Sequence, residues 1–371
     1  GGHLVLCALA GKAALRLSRS TGRPALTLAR LLGELTERDR IQQELLEDGA
    51  NEALERRLMR LTYIDDRTLV VIDEASMIDL PTYYAVLRRM PKGARLLLTG
   101  DDAQLPPIGF GLVYHLLVKD SYITAHLTVV HRQSAATGIP AVSESIRNNR
   151  RPELHPFKGK GEGVSFIEAR HETLPQVLEQ VVDELGGHQA GVLVVTPTNE
   201  GLAGVRTLNR QLHDAYRRVN FHPEIKGYGA NYYSVGEPVM FTRNDYSRNL
   251  FNGLLGQITS VDVKGRSLQV LFDGEDEPQS LGPEDLLDLT LAHAITCHRA
   301  QGSQAPRVVI PVFETRLLTP SWLYTAVTRA ELQVVLIGQR EALGEGLNRP
   351  WTLDIRTVGF RWHSDSFVQC N

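Results

Sequence analysis

Six short apolar runs, at residues 3–9, 69–72, 95–99, 192–196, 308–312 and 334–337, alternate with longer amphipathic stretches. Runs this short, rich in Val, Ile and Leu, suit buried strands, and the stretches between them suit crossover helices. The pattern predicts an α/β fold with parallel sheets. Ligands of such sheets gather at the carboxyl ends of the strands, so residues just after each run are the first candidates for chemistry. A chain of 371 residues, 42% hydrophobic and 22% charged, can bury the cores of two or three domains of roughly 150 residues each.

Several classes are disfavoured at once. No run approaches the ~20 apolar residues of a membrane span, and nothing at the start reads as a signal peptide, so no membrane partner is expected. Cys7, Cys297 and Cys370 are too far apart for a disulfide framework or a metal pattern, which suits a reducing cytoplasm. The net charge of −3 excludes a uniformly basic nucleic-acid binder, although a local basic groove would be sufficient.

Residues 232–289 break the alternation. Short strand-like runs there are separated by Asn252-Gly253, Lys264-Gly265 and Asp273-Gly274, which predicts a small antiparallel β-barrel inserted into the α/β frame. Residues 150–163, rich in Pro, Gly and charge, read as a connector, and residues 37–60 as a solvated, charged helix.

The strongest chemical signal is the run 69–72 delivering Asp73-Glu74-Ala75-Ser76. Two adjacent carboxylates at a strand end suit an NTPase, the first holding the Mg²⁺ shell through water and the second polarising the attacking water. A strand ending in an acidic turn is the plainer alternative. The next run leads into Gly100-Asp101-Asp102-Ala103-Gln104-Leu105-Pro106-Pro107-Ile108-Gly109, where a rigidly held amide at Gln104 could sense a γ-phosphate; a surface turn is equally compatible. Arg132 in His131-Arg132-Gln133, and Arg329 in Tyr324-Thr325-Ala326-Val327-Thr328-Arg329-Ala330, are positioned for arginine-finger roles. Taken singly, each such arginine is more often a surface ion pair.

The order DEAS, GD-x-x-QLPP-x-G, HRQ, T-x-HRAQGS and YTAVTRA resembles motifs II to VI of superfamily 1 helicases. Residues 73–81 resemble the RecD branch in particular, the α subunit of exodeoxyribonuclease V and its stand-alone relatives. The resemblance implies two RecA-like P-loop NTPase domains, the first incomplete, at 1–133 and at 134–231 with 290–350. The barrel at 232–289 lies in the second; the tail at 351–371 matches nothing in the family and either docks a partner or, the preferred reading, packs on the second domain. It implies ATP and Mg²⁺ as ligands, with catalytic roles for Asp73, Glu74, Gln104, Arg132 and Arg329 and nucleotide contacts at Gly100, Asp101, Gln301 and Gly302. It also implies single-stranded DNA as partner, contacted by Gly11, Lys12, Thr296, His298, Asn252 and Arg243, with translocation from 5′ to 3′. Other recombination or repair subunits are possible partners by the same resemblance.

The sequence departs from that pattern in places. No G-x-x-x-x-G-K-[S/T] phosphate loop occurs; Gly11-Lys12 has Leu6 where the first glycine belongs and Ala13 where the hydroxyl belongs. The run 3–14 aligns instead with motif Ia, with Leu9 and Ala10 replacing Pro and Thr. Ala29 stands where the family has histidine, and Gln304 where it has glutamate. Two expectations compete: a phosphate loop encoded upstream of Gly1, or a helicase-derived single-strand-binding or scaffolding module that has shed it. On either, this chain alone is expected to bind nucleotide weakly and to unwind little DNA.

Overall fold

The computed structural model describes residues 2–127, 137–229 and 231–362. These fall into two compact units, one within Gly1–His126 and Ile355–Asn371, the other within Leu127–Asp354. All six apolar runs form strands, as the alternation predicts.

The first unit is built on β1 (His3–Ala8), β2 (Ala25–Thr27), β3 (Thr68–Asp73) and β4 (Arg95–Leu98). They lie side by side in the order β2-β1-β3-β4, every neighbouring pair parallel. The register pairs Ala8 with Asp73, so the loop leading into the helix Gly11–Thr21 and the acidic pair after β3 share the carboxyl edge of the sheet. One face carries a large core in which Val5, Cys7, Val70 and Ile72 pack against Leu28, Leu31, Leu35, Tyr83, Val86 and Val113. The opposite face is covered by Ala13 and Ala14 against Ala8. This cover does not extend across the sheet: Leu97, on the edge strand β4, is 48% exposed. The charged segment forms two helices, Leu28–Asp48 and Glu52–Arg60, interrupted at Gly49, where φ is 86°. Its charges pair on the surface, Arg40 with Glu37 and Glu44 and Arg57 with Glu37.

The second unit adds β5 (His155–Pro156), β6 (Gly163–Glu168) and β7 (Val192–Thr196). Then come β8 (Glu224–Lys226), β9 (Tyr232–Ser234), β10 (Pro238–Phe241), β11 (Leu254–Asp262), β12 (Ser267–Phe272), β13 (Gln279–Leu281) and β14 (Leu289–Leu291). The last three are β15 (Ala294–Thr296), β16 (Ala305–Val312) and β17 (Ala330–Gly338). A parallel sheet runs β15-β7-β16-β17-β6-β5, its central strands buried on both faces as parallel sheets require.

Where a barrel was expected, the structure has an antiparallel sheet in the order β13-β12-β11-β10-β14, with β8 and β9 as a separate ribbon. Its end strands β13 and β14 share no ladder among the described residues, so barrel closure is not shown. The turn signals are where the sequence puts them. Between β11 and β12 the Asp262 carboxylate accepts from the amides of Lys264 and Gly265, and a Cβ on Gly265 would stand 2.5 Å from that carboxylate.

The antiparallel sheet is joined to the parallel one by a buried polar cluster. Glu237 Oε1 lies 2.6 Å from His213 Nδ1 and 2.9 Å from His293 Nε2, and its other oxygen accepts from the Ser234 amide at 2.9 Å. His188 stacks edge-on against His293 with ring centroids 4.4 Å apart. Burial opposes ionisation of Glu237, but the bonds from His213 and His293 outweigh it and hold the carboxyl below its ordinary value. Burial dominates at His293 and His188 and pushes both down, whereas at His213 the bond to and charge of Glu237 outweigh burial and push it up.

The signs fix the pH response. The unfolded chain protonates His188 and His293 near pH 6.5 while the folded chain keeps them neutral, so acidification through that range costs stability. His213 works the other way: its contribution is complete below the unfolded value and is lost as pH rises through its folded value. Glu237 contributes above its unfolded value and fails as pH falls through the folded one. Thermal melts from pH 7 to pH 5 are expected to show a falling Tm, and His188→Gln should flatten that slope. The helix Gly11–Thr21 has no side-chain cap at Ala10. Ala10→Thr is therefore expected to stabilise the first unit by about 1 kcal/mol in a denaturant titration.

Candidate active site

In the first unit, two loops after β3 and β4 are welded together by three hydrogen bonds. The Thr99 amide donates to the Ile72 carbonyl at 2.9 Å, the Ala75 amide to the Thr99 carbonyl at 2.8 Å, and the Thr99 hydroxyl to Asp73 Oδ1 at 2.7 Å. The last bond fixes the orientation of Asp73. Glu74 then takes a left-handed conformation, φ 53° and ψ 40°, at a position only 8% exposed. Such a backbone costs a non-glycine residue roughly 1–3 kcal/mol and persists where surrounding structure over-determines it, which singles Glu74 out as a candidate for function. Its carboxylate meets Arg16 of the helix Gly11–Thr21 at 3.3 Å.

Gly100 is closely packed: a Cβ there would stand 3.0 Å from the Ser76 amide and 3.2 Å from the Tyr114 ring, so a side chain would need its neighbours to give by a few tenths of an ångström. The Tyr114 hydroxyl donates to the Gly100 carbonyl at 2.7 Å. Asp101 accepts from the Ala103 amide at 3.0 Å and from Gln104 Nε2 at 3.3 Å. Gln104 is buried, and its Oε1 has no hydrogen-bond partner. The structure thus brings Asp73, Glu74, Gly100, Asp101 and Gln104 to one edge of one sheet, with Gly11 and Lys12 at the start of the helix that follows β1.

In the second unit Thr296 ends β15, and His298, exposed, sits on the single turn Cys297–Ala300. Gln301 is buried and Gly302 has a φ of 74°. Arg329 is 1% exposed and is the largest fully buried side chain. Its guanidinium donates to the carbonyls of Thr325 and Ser303 and to the Thr328 hydroxyl at 3.0, 3.4 and 3.2 Å. This ties the segment 301–303 to the segment 325–329. These residues precede β16 and β17, so the carboxyl-end rule locates Thr296 and not Gln301, Gly302 or Arg329. Arg243 is exposed and 3.4 Å from Asp288, and the Asn252 amide donates to Asn244, so both belong to the loop between β10 and β11. That loop is tied down by Arg248, which bridges Asp245 and Asp285; bonds from Ser247 and Arg248 hold the Asp245 carboxyl down at about 2. Arg132 lies outside the described residues.

Sequence reasoning missed Arg16, Thr99, Tyr114 and Asp79. Arg16 had a signal, since it lies one helical turn beyond Lys12 on the same face. The others act on backbone or carboxylate partners that only the fold brings near.

Family models match an AAA domain over residues 1–166 and a UvrD-like helicase C-terminal domain over residues 291–337. The ATP-dependent RecD2 DNA helicase of Deinococcus radiodurans is 32% identical over 91% of this chain. The chain is similar to RecD-type helicases over most of its length. The RecBCD enzyme subunit RecD of Mycolicibacterium smegmatis is 29% identical over 97% of the chain. This RecD-like chain spans 43% and 65% of the length of those two relatives. Its fold matches that of a Bacteroides Pif1 helicase in complex with ADP-AlF3 and ssDNA, with a TM-score of 0.52 and 19% identity over 90% of this chain and 82% of that one. A structure described for DNA unwinding at forked dsDNA by two coordinating Pif1 helicases matches with a TM-score of 0.53 at 19% identity, again over 90% of this chain and 82% of that one. The shared fold is the RecA-like α/β helicase fold.

The buried position of Arg329 has a measurable consequence. Arg329→Met removes the guanidinium bonds to the Ser303 and Thr325 carbonyls and to the Thr328 hydroxyl. The expected loss is about 2–4 kcal/mol of unfolding free energy in denaturant titration.

Proposed function

We propose that this RecD-like chain is the motor core of an ATP-driven DNA helicase that moves 5′ to 3′ along single-stranded DNA in recombination or repair. The observation that carries the reading is a strained, buried Glu74 next to an oriented Asp73, with the orphaned carbonyl of Gln104 on the loop after the neighbouring strand.

ATP is the substrate, and Mg²⁺ bound to its phosphates would neutralise charge there. The donor set suits that ion. Magnesium takes one or two carboxylates and keeps its waters, and among the described residues no cluster of three or more metal-ligating side chains competes with Asp73. Asp73, aimed by Thr99, is the residue that would hold the Mg²⁺ shell. Glu74 polarises the attacking water. Gln104 donates its amide inward to Asp101 and presents a carbonyl oxygen, an acceptor. That end suits a water O–H better than an anionic phosphate, so Gln104 orients the water instead of reading the phosphate directly. By the helicase resemblance, Gly100 and Asp101 of the first unit contact the nucleotide, and Gln301, Gly302 and Arg329 of the second, with Arg132, are assigned contacts to nucleotide or its γ-phosphate. For Arg329 this requires exchange of its carbonyl partners for phosphate oxygens.

Single-stranded DNA is held through its backbone, with Gly11, Lys12, Thr296 and His298 as contacts, and the antiparallel sheet with Arg243 and Asn252 flanks the strand. Relatives named as RecBCD subunits support a further partner of that kind. ATP hydrolysis with and without single-stranded DNA tests the reading. Turnover by this chain is expected to be weak, because residues 1–371 hold no phosphate loop, yet stimulated by DNA, with Glu74→Gln lowering kcat by roughly 100-fold or more. DNA binding with no turnover would sink it and favour a binding module.

A further inference from the structure

Residues 356–362 follow the last helix of the second unit and pack within the first. They lie along the loop that carries Gln104. The Arg356 guanidinium donates to the carbonyls of Pro107 and Gly109. The Leu112 amide donates to the Val358 carbonyl at 2.9 Å, Gly359 sits against Phe110 and Leu80, and the Trp362 indole donates to Asp120 at 2.8 Å. The other flank of the loop is closed by Asp79 and Leu80. The Leu80 amide donates to the Phe110 carbonyl at 2.8 Å, and a Cβ on Gly109 would stand 2.1 Å from Asp79 Oδ2.

A loop of this sequence needs such a clamp. Residues 101–111 contain no helix or strand, and Pro106 and Pro107 have no N–H to donate. The carbonyls at 107 and 109 take their donors from outside the loop, from Arg356. An arginine fork places two donors in one rigid plane, which a lysine cannot do. His115 lies close enough to feel Asp102, Arg356 and Asp101; burial pushes it down to about 4, so it stays neutral and adds no cation beside Arg356.

We propose that Arg356 is a positioning residue: the strap it heads holds the Gln104 loop in place for nucleotide chemistry. The catalytic half of this statement rests on the helicase reading above; the structural half does not. It also makes the return of the chain into the first unit part of the active-site support.

The test combines amide hydrogen exchange with steady-state ATPase kinetics on the full chain carrying Arg356→Ala or Arg356→Lys. Arg356→Ala should speed exchange at Ala103, Gln104 and Leu112 by about tenfold or more, with β1 and β3 unchanged. It should lower DNA-stimulated kcat about ten- to a hundredfold, as misplacement of a catalytic group does, and leave KM for ATP within about threefold. Arg356→Lys, with one donor point in place of two, should fall between. If Arg356→Ala also loosens β1 and β3, the lysine variant decides by the same loop amides. Unchanged loop exchange in both variants, or wild-type kcat with a loosened loop, overturns the proposal. A wild-type chain that hydrolyses no ATP removes the helicase reading instead, and the exchange data still decide whether Arg356 holds the loop.

Discussion

The position of every candidate catalytic group in the first unit depends on one short weld between parallel strands. Thr99 gives its amide to Ile72, its carbonyl to Ala75 and its hydroxyl to Asp73. Without it, the loops after β3 and β4 would be two independent turns. With it, the Asp73 carboxylate is aimed, Glu74 sits in the left-handed region, and Gly100 lies so close to the Ser76 amide that a Cβ would stand 3.0 Å from it. Strain at Glu74 and close approach at Gly100 are two results of the same constraint.

The strands were legible because burial in a parallel sheet demands uninterrupted apolar runs, and β3, β7, β16 and β17 have them. β6 was not: its Gly163-Val-Ser-Phe-Ile-Glu168 mixes polar residues into the run, and its place follows from pairing with β17. The acid pair, Gln104 and the glycines could be proposed from sequence because their chemistry is unusual in that order, and the fold brings them to one edge of one sheet. The supports could not be, because Thr99, Tyr114 and Arg356 bind carboxylate or carbonyl groups distant in sequence, and nothing local marks them. The tail was read as packing on the second domain; its Trp351 does bond Asn149 there, but residues 356–362 lie with the first unit. The division falls where a run of aromatic and basic residues gave no periodicity to read.

Buried polar groups do for the second unit what Thr99 does for the first. Arg329 ties the segments before β16 and β17 through carbonyls of Ser303 and Thr325, and Glu237 ties β9 and β10 to His213 and His293. Apolar packing alone tolerates small slips, whereas a buried carboxylate between two imidazoles is satisfied in one arrangement only, since a misplaced buried charge costs several kcal/mol, on the order of 3–5. The antiparallel insertion is therefore held at a defined place on the parallel sheet by electrostatics.

The orientation of Gln104 follows from the same logic of satisfied and unsatisfied groups. An amide has donors at one end and an acceptor at the other, and Asp101 can accept only from the donor end. The carbonyl is thereby turned away from Asp101 and left without a partner, at a cost of about 1–3 kcal/mol for a buried acceptor. A loop clamped by Asp79 on one side and Arg356 on the other cannot relax to recover that cost. The penalty is stable only because the loop is rigid, and it is relieved only by a donor arriving from outside. On the proposed function the attacking water would be such a donor, while the clamp itself stands on the bonds of Arg356 and Leu80.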